Sequence, residues 1–251
     1  MLNFNRCIAF DGTGYPAGRG AGKAGFEAMI VALLFKIDES ETGTRLLEFI
    51  DKQKHVVVIR PPASDDDIAN AGGAWAAPTN NKDAFLAGKR LRQGDGNFYG
   101  KSRGTGAGSD VDLPFDPHIA AFNAHDHADH VLIHELTHAA RSISGTLRNR
   151  PMQGFHTRDE FYGICVENMY AAEHGWQMRS GHGGNSWVTS VSWSMTDPKF
   201  DTAMARLHVE CPDLVIALAR ASTSFNPFRQ WLLSKGLSGW AGGGARFEAA
   251  P

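Results

Sequence analysis

Residues 126–145 read Asp126-His127-Ala128-Asp129-His130-Val131-Leu132-Ile133-His134-Glu135-Leu136-Thr137-His138-Ala139-Ala140-Arg141-Ser142-Ile143-Ser144-Gly145. No proline or glycine interrupts the run before Gly145, and at about 100° per residue positions four apart lie one turn apart on one face. His134 and His138 therefore project side by side, close enough for both imidazoles to hold one metal ion. Glu135 stands one step round, where a carboxylate can take a proton from a water that the metal acidifies. Leu132, Leu136, Ala139 and Ile143 recur at spacings of three and four and form an apolar stripe roughly opposite. Asp126 and Asp129 suit the positive end of the helix, Arg141 its last turn, and Gly145 its stop. The same pattern on a plain surface helix would be two exposed histidines; the caps and the stripe favour a helix buried on one side.

Catalytic zinc usually takes three protein ligands, so a third is sought downstream. Thr157 to His174 reads as a second helix, with Thr157 as N-cap, Glu160 at the capping-box position and Gly175 as terminator. Glu160, Glu167 and His174 are seven apart and share a face. Glu160 is the first choice for third ligand, because Gly163 clears room for a close approach. Glu167 is the alternative, either as ligand or as acceptor for a ligand imidazole. The capping box competes for the Glu160 carboxylate. His125, His127 and His130 would extend the histidine face, and their preferred reading is surface or supporting residues rather than a second metal site.

Composition narrows the class. A chain of 251 residues with 42% hydrophobic residues is long enough for one sizeable core. A formal net charge of −2 gives no electrostatic case for nucleic acid or an anionic membrane as partner. Cys7, Cys165 and Cys211 are scattered, with no C-x-x-C pair, and read as buried thiols of a protein made in a reducing cytoplasm. The N-terminus lacks a signal-peptide core, so any export is expected to use a route without a cleavable signal peptide.

Taken along its length, the chain reads as a glycine-rich flexible lead-in over residues 1–24, a single domain over 25–240 and a tail over 241–251. Gly22-Lys23 fails as a phosphate loop, since Ala24 follows and the first glycine is misplaced. Helices are expected over Gly25–Lys36 and Thr44–Gln53, and His55–Arg60 is the best strand. Asp65-Asp66-Asp67 lacks a calcium-loop pattern. Ala71–Gly108 reads as long loops, and Gly104–Gly108 is not followed by the helix a nucleotide loop needs. Asp110–Pro117 is expected as an edge strand beside the metal helix that pairs with extended substrate. Trp187–Trp193 reads as a strand, followed by helices over Lys199–Val209, Pro212–Ala221 and Pro227–Lys235. The fold class is α+β, zincin-like: a small mixed sheet packed on the metal helix, with a mostly helical C-terminal part.

From Val56 to Gly175 the chain resembles the NleD-like effector zinc metallopeptidases of bacteria. The resemblance rests on Gly106-Ala107-Gly108-Ser109-Asp110-Val111, Phe115-Asp116-Pro117, His134-Glu135-Leu136-Thr137-His138-Ala139 and Asp159-Glu160-Phe161. Glu160 with Gly163 is also similar to the Glu-x-x-small pattern of gluzincin peptidases. It implies one Zn²⁺ per chain held by His134, His138 and Glu160, with Glu135 as general base for peptide hydrolysis. It also implies a protein or peptide substrate, delivery into a host or target cell, and a cognate inhibitor or secretion component as partner. Tyr162, Tyr170, His156, His174, Arg158 and His182 are the candidates for a donor to the developing oxyanion. The alternatives are a zinc amidase acting on a non-protein substrate, a binding or structural protein with a vestigial zinc site, and, least favoured, a nucleic-acid enzyme.

Overall fold

A short mixed sheet and two long packed helices carry the candidate site in the computed structural model, which describes residues 1–19, 22–63, 74–92, 98–118, 127–182 and 187–239. The chain opens with β1 (Leu2–Asn3) and β2 (Ile8–Phe10), then α1 (Gly22–Asp38) and α2 (Glu41–Asp51). β3 (Val57–Arg60), β4 (Ala77–Pro78), the one-turn helix α3 (Asn81–Ala84), β5 (Arg90–Arg92), β6 (Phe98–Arg103) and β7 (Val111–Pro114) follow. The central helix α4 (Ala128–Ile143) leads to a ribbon of β8 (Pro151–Met152) and β9 (His156–Thr157). The second long helix, α5 (Arg158–His174), precedes the pair β10 (Met178–Arg179) and β11 (Trp187–Val188). The last elements are α6 (Pro198–Glu210), α7 (Pro212–Ala219) and α8 (Pro227–Ser234). The architecture is mixed α/β with eight helices among the described residues and small sheets.

The main sheet has the order β1-β2-β3-β7-β4. β2, β3 and β7 run parallel, and β1 and β4 close the two ends antiparallel. Ile8, Val57, Ile59, Val111 and Leu113 are fully buried, as strands covered on a face by helices require. Two expectations change here. Residues 1–24 are not all a loose lead-in: Ile8-Ala9-Phe10 is a buried strand pairing with Val57-Val58-Ile59, and α1 starts at Gly22. Three apolar residues beside a cysteine carry too little periodicity to be read as a strand alone. Asp110–Pro117 also does not form an edge: β7 lies between β3 and β4, and β4 supplies the outer edge. The region read as long loops contains β4, α3 and the antiparallel pair β5 and β6. The three-aspartate run and the 241–251 tail lie outside the described residues.

α4 and α5 pack along their lengths. α4 inserts Leu132, Ile133, Leu136, Ala139, Ala140 and Ile143 into the core, so its apolar surface is broader than the four-residue stripe. Tyr162 at the start of α5 donates its hydroxyl to Ala203 O at 2.7 Å, fixing α6 against it. Arg141 sits in the last turn of α4, as its charge suits, and is fully buried there. It pairs with Asp159 Oδ1 at 2.7 Å and Glu210 Oε2 at 3.5 Å, and its guanidinium lies 4.9 Å from the Tyr162 ring. A buried arginine needs such partners, and they tie α4, α5 and α6 at one point. Cys7, Cys165 and Cys211 are buried and unpaired as disulfides. No described helix is long and apolar enough to cross a membrane.

Candidate metal centre

α4 brings His134 and His138 together one turn apart, with their Nε2 atoms 3.0 Å from each other. α5 supplies Glu160, whose Oε2 lies 3.2 Å from His134 Nε2 and 3.5 Å from His138 Nε2. Metal bonds of about 2.0–2.1 Å at tetrahedral angles place donor atoms about 3.3 Å apart. The three edges of this triangle match that spacing, so the three atoms form one face of a tetrahedron of the size zinc takes. A ligand atom of Glu135 also lies within 4.8 Å of those of His134 and His138, so two carboxylates flank the imidazole pair.

The far side of each imidazole is fixed. His134 donates Nδ1–H to Glu167 Oε2 at 2.9 Å, and His138 donates Nδ1–H to Asp159 Oδ2 at 2.7 Å. With both Nδ1 protons committed, both Nε2 atoms keep their lone pairs, and these converge with a carboxylate oxygen. Three electron-rich atoms this close repel unless positive charge sits among them. Protons supply part of that charge. Burial opposes it, yet Glu160 and Glu167 push His134 up to about 9, and Glu160 and Asp159 hold His138 well above its ordinary range. A single divalent cation among the three atoms would supply that charge as well.

The carboxylates differ in their surroundings. Glu167 is buried beneath His134; burial raises its pKa, but His130, His134 and Arg179 outweigh that and hold it at about 2. Glu160 keeps part of its side chain exposed, and the two imidazoles hold it far below the carboxylate range against the effect of burial. Glu135 moves the other way, raised chiefly by its low-dielectric surroundings, against the opposing pull of the two imidazoles and, last, of the Ala76 backbone. The capping box is half made: Thr157 Oγ1 accepts from Glu160 N, but the Glu160 side chain turns to the histidines instead of back to the cap.

The centre opens on a cleft of about 460 Å³ lined by Glu135, both histidines, Glu160, residues 74–78 and His182. Of the six donor candidates named from sequence, His182 is the one among these lining residues. Tyr162 is committed to Ala203, and Tyr170 donates to Asp129 Oδ2 at 2.6 Å. His174 stacks on Trp176, as does His127. His130 is fully buried 3.1 Å from Glu167 O, so both read as supporting residues, while His125 lies outside the described residues. Sequence reasoning gave no role in the site to Asp159 or Arg179. Asp159 precedes Glu160 in a helix first turn, where an acidic residue is ordinary, and nothing local marked its partner.

Gly163 does what its size promised, against a different atom. A Cβ there would lie 2.8 Å from His134 Cε1 and 3.0 Å from both ring nitrogens. Gly163→Ala should therefore displace this imidazole, cost about 1–3 kcal/mol of stability and weaken metal affinity about 10–100-fold. Thermal melts with chelator competition would read both; unchanged affinity would show that the ring does not need this seat.

The family model named Peptidase_M91, described as an effector protein, matches residues 18–173. No curated protein and no solved structure matches the chain.

Proposed function

Since the chain belongs to the Peptidase_M91 family of effector proteins, we propose that it is a zinc-dependent metallopeptidase with Glu135 as general base. His134, His138 and Glu160 would hold one zinc ion per chain. The observation that carries this reading is the triangle of His134 Nε2, His138 Nε2 and Glu160 Oε2, with edges of 3.0, 3.2 and 3.5 Å. Bound there, zinc supplies a Lewis acid able to polarise a carbonyl and acidify a water. Glu135 takes a proton from the water that attacks the peptide carbonyl and returns it to the leaving amine nitrogen. Its raised pKa brings the carboxylate towards the range where it can do both. Glu167 and Asp159 keep the two imidazoles oriented by accepting their Nδ1 protons.

The arrangement is zincin-like in our reading: the metal helix lies beneath the β7–β4 side of the sheet, and the cleft runs beside β4. An extended substrate would lie along β4, not along β7, whose pairing positions are taken on both sides. Residues 25–240 with strand β2 would act as one catalytic unit, consistent with a main buried cluster running from Cys7 to Leu232, beside a small one of Ala84, Phe85, Leu91 and Leu147. As an effector it would be delivered into a host or target cell, with a secretion component or cognate inhibitor as partner. Digestion of a diverse peptide library by the zinc-loaded protein, read by mass spectrometry, tests the activity. New termini that vanish on adding a chelator and return with zinc are expected. A library left intact would overturn the peptidase reading and favour a non-peptide amide as substrate.

A further inference from the structure

The peptidase reading leaves the negative charge on the reacting carbonyl oxygen without a protein donor. We propose that His182 is that donor, a catalytic residue whose Nε2–H bonds the substrate carbonyl oxygen as charge builds on it. This rests on the proposed peptidase function and lies beyond the stretch matched by the family, which ends at residue 173.

His182 lines the cleft with Glu135 and the two α4 histidines, and its Nε2 is 3.3 Å from Glu160 Oε2, the oxygen that also faces both imidazoles. Its other nitrogen separates it from a metal ligand. His134 and His138 each give Nδ1–H to a carboxylate, as ligating histidines almost always do, whereas His182 Nδ1 is buried with no hydrogen-bond partner. A proton on Nδ1 would be buried and unsatisfied, while a proton on Nε2 has an acceptor. The favoured neutral tautomer therefore presents an N–H donor at the edge of the site.

The mount is rigid. β10 is clamped to α5 by Asn168, which donates Nδ2–H to Arg179 O at 2.8 Å and accepts Arg179 N–H at 2.7 Å. His182 N–H donates to Gly154 O at 2.8 Å, joining the loop to the β8–β9 turn. The His182 ring lies against His156, with centroids 4.4 Å apart. His156 has φ of 56°, the one positive value outside glycine among the described residues. Such strain persists where surrounding structure enforces it and gathers at functional sites. A preorganised donor is what a developing oxyanion requires, because it need not reorient during reaction. Asn81 and Asn149 also line the cleft and are the rival donors.

The test compares His182→Ala, His182→Gln and Asn149→Ala with wild type on a peptide cut in the library digest. Zinc stoichiometry and affinity are measured alongside by chelator competition, as is binding of a phosphinic analogue of that peptide. We expect His182→Ala to lower kcat about 10²–10³-fold with KM and zinc affinity within about threefold. Affinity for the phosphinic analogue should fall with kcat/KM, while the uncleaved parent peptide binds as before. His182→Gln should recover part of kcat through its amide N–H, and Asn149→Ala should lower kcat far less than His182→Ala does. Zinc affinity falling in step with activity in His182→Ala would overturn the proposal by making His182 a support for Glu160 or a ligand. An effect confined to KM, or a larger kcat loss in Asn149→Ala, would overturn it too. If wild type binds zinc but cuts no peptide, the peptidase reading fails, and this assignment falls with it.

Discussion

Glu135→Gln should bind zinc as wild type does and lose peptide turnover by about 10²–10⁴-fold, the usual contribution of a positioned general base. The substitution preserves shape and removes the proton-accepting charge. Glu135 follows His134 on α4 and lines the cleft beside residues 74–78. Glutamine has nearly the same size and reach, so the fold and the imidazole pair should be undisturbed. The informative reading is the contrast between two measurements on one sample: zinc per chain near one by elemental analysis, and kcat collapsed with KM little changed. Activity within tenfold of wild type would remove Glu135 from the mechanism. Loss of zinc in the same protein would make it a ligand, which its place within 4.8 Å of the imidazoles leaves open to test.

The parts of this site that the sequence disclosed are those governed by local spacing. Helical periodicity puts His134 and His138 on one face, and the Thr157 and Gly175 caps give the bounds of α5 almost to the residue: Thr157 accepts from Glu160 N, and Gly175 ends the helix at φ 68°. Local spacing cannot say which of Glu160 and Glu167 meets the histidines. Seven residues turn a helix through nearly two full circles, so both point the same way and differ only by about 10 Å along the axis. That distance is settled by how α5 slides against α4. The same gap explains the misplaced strand edge. β7 has the composition of a strand, but its neighbours β3 and β4 are non-local, and no pattern within residues 110–117 encodes them. Arg141 was legible as a cation near a helix end; its burial depends on Asp159 and on Glu210, 69 positions away in sequence.

Removing Glu160 and removing Glu167 should separate a ligand from its support. Glu160 faces both Nε2 atoms and remains partly open to the cleft, whereas Glu167 is 1% exposed and touches His134 on its opposite nitrogen. Glu160→Ala takes away one of three donor atoms, and its zinc affinity should fall well beyond the 10–100-fold typical of losing an orienting partner. Its folding stability should change little. Glu167→Ala should show the reverse balance. Zinc still binds at one per chain, weakened about 10–100-fold because the His134 ring is no longer held. The fold, however, loses a buried anion shared by His134 Nδ1 and Arg179 Nη1, at 2.9 and 3.3 Å. Leaving such partners uncompensated costs about 3 kcal/mol or more, visible as a lower melting temperature even with chelator present. Elemental analysis, chelator competition and melts on the two variants therefore give opposite rankings for metal and for stability. Zinc abolished in Glu167→Ala but retained in Glu160→Ala would move the third ligand one face-repeat along α5. The Glu160 triangle would then be a hydrogen-bonded cluster, not a coordination face.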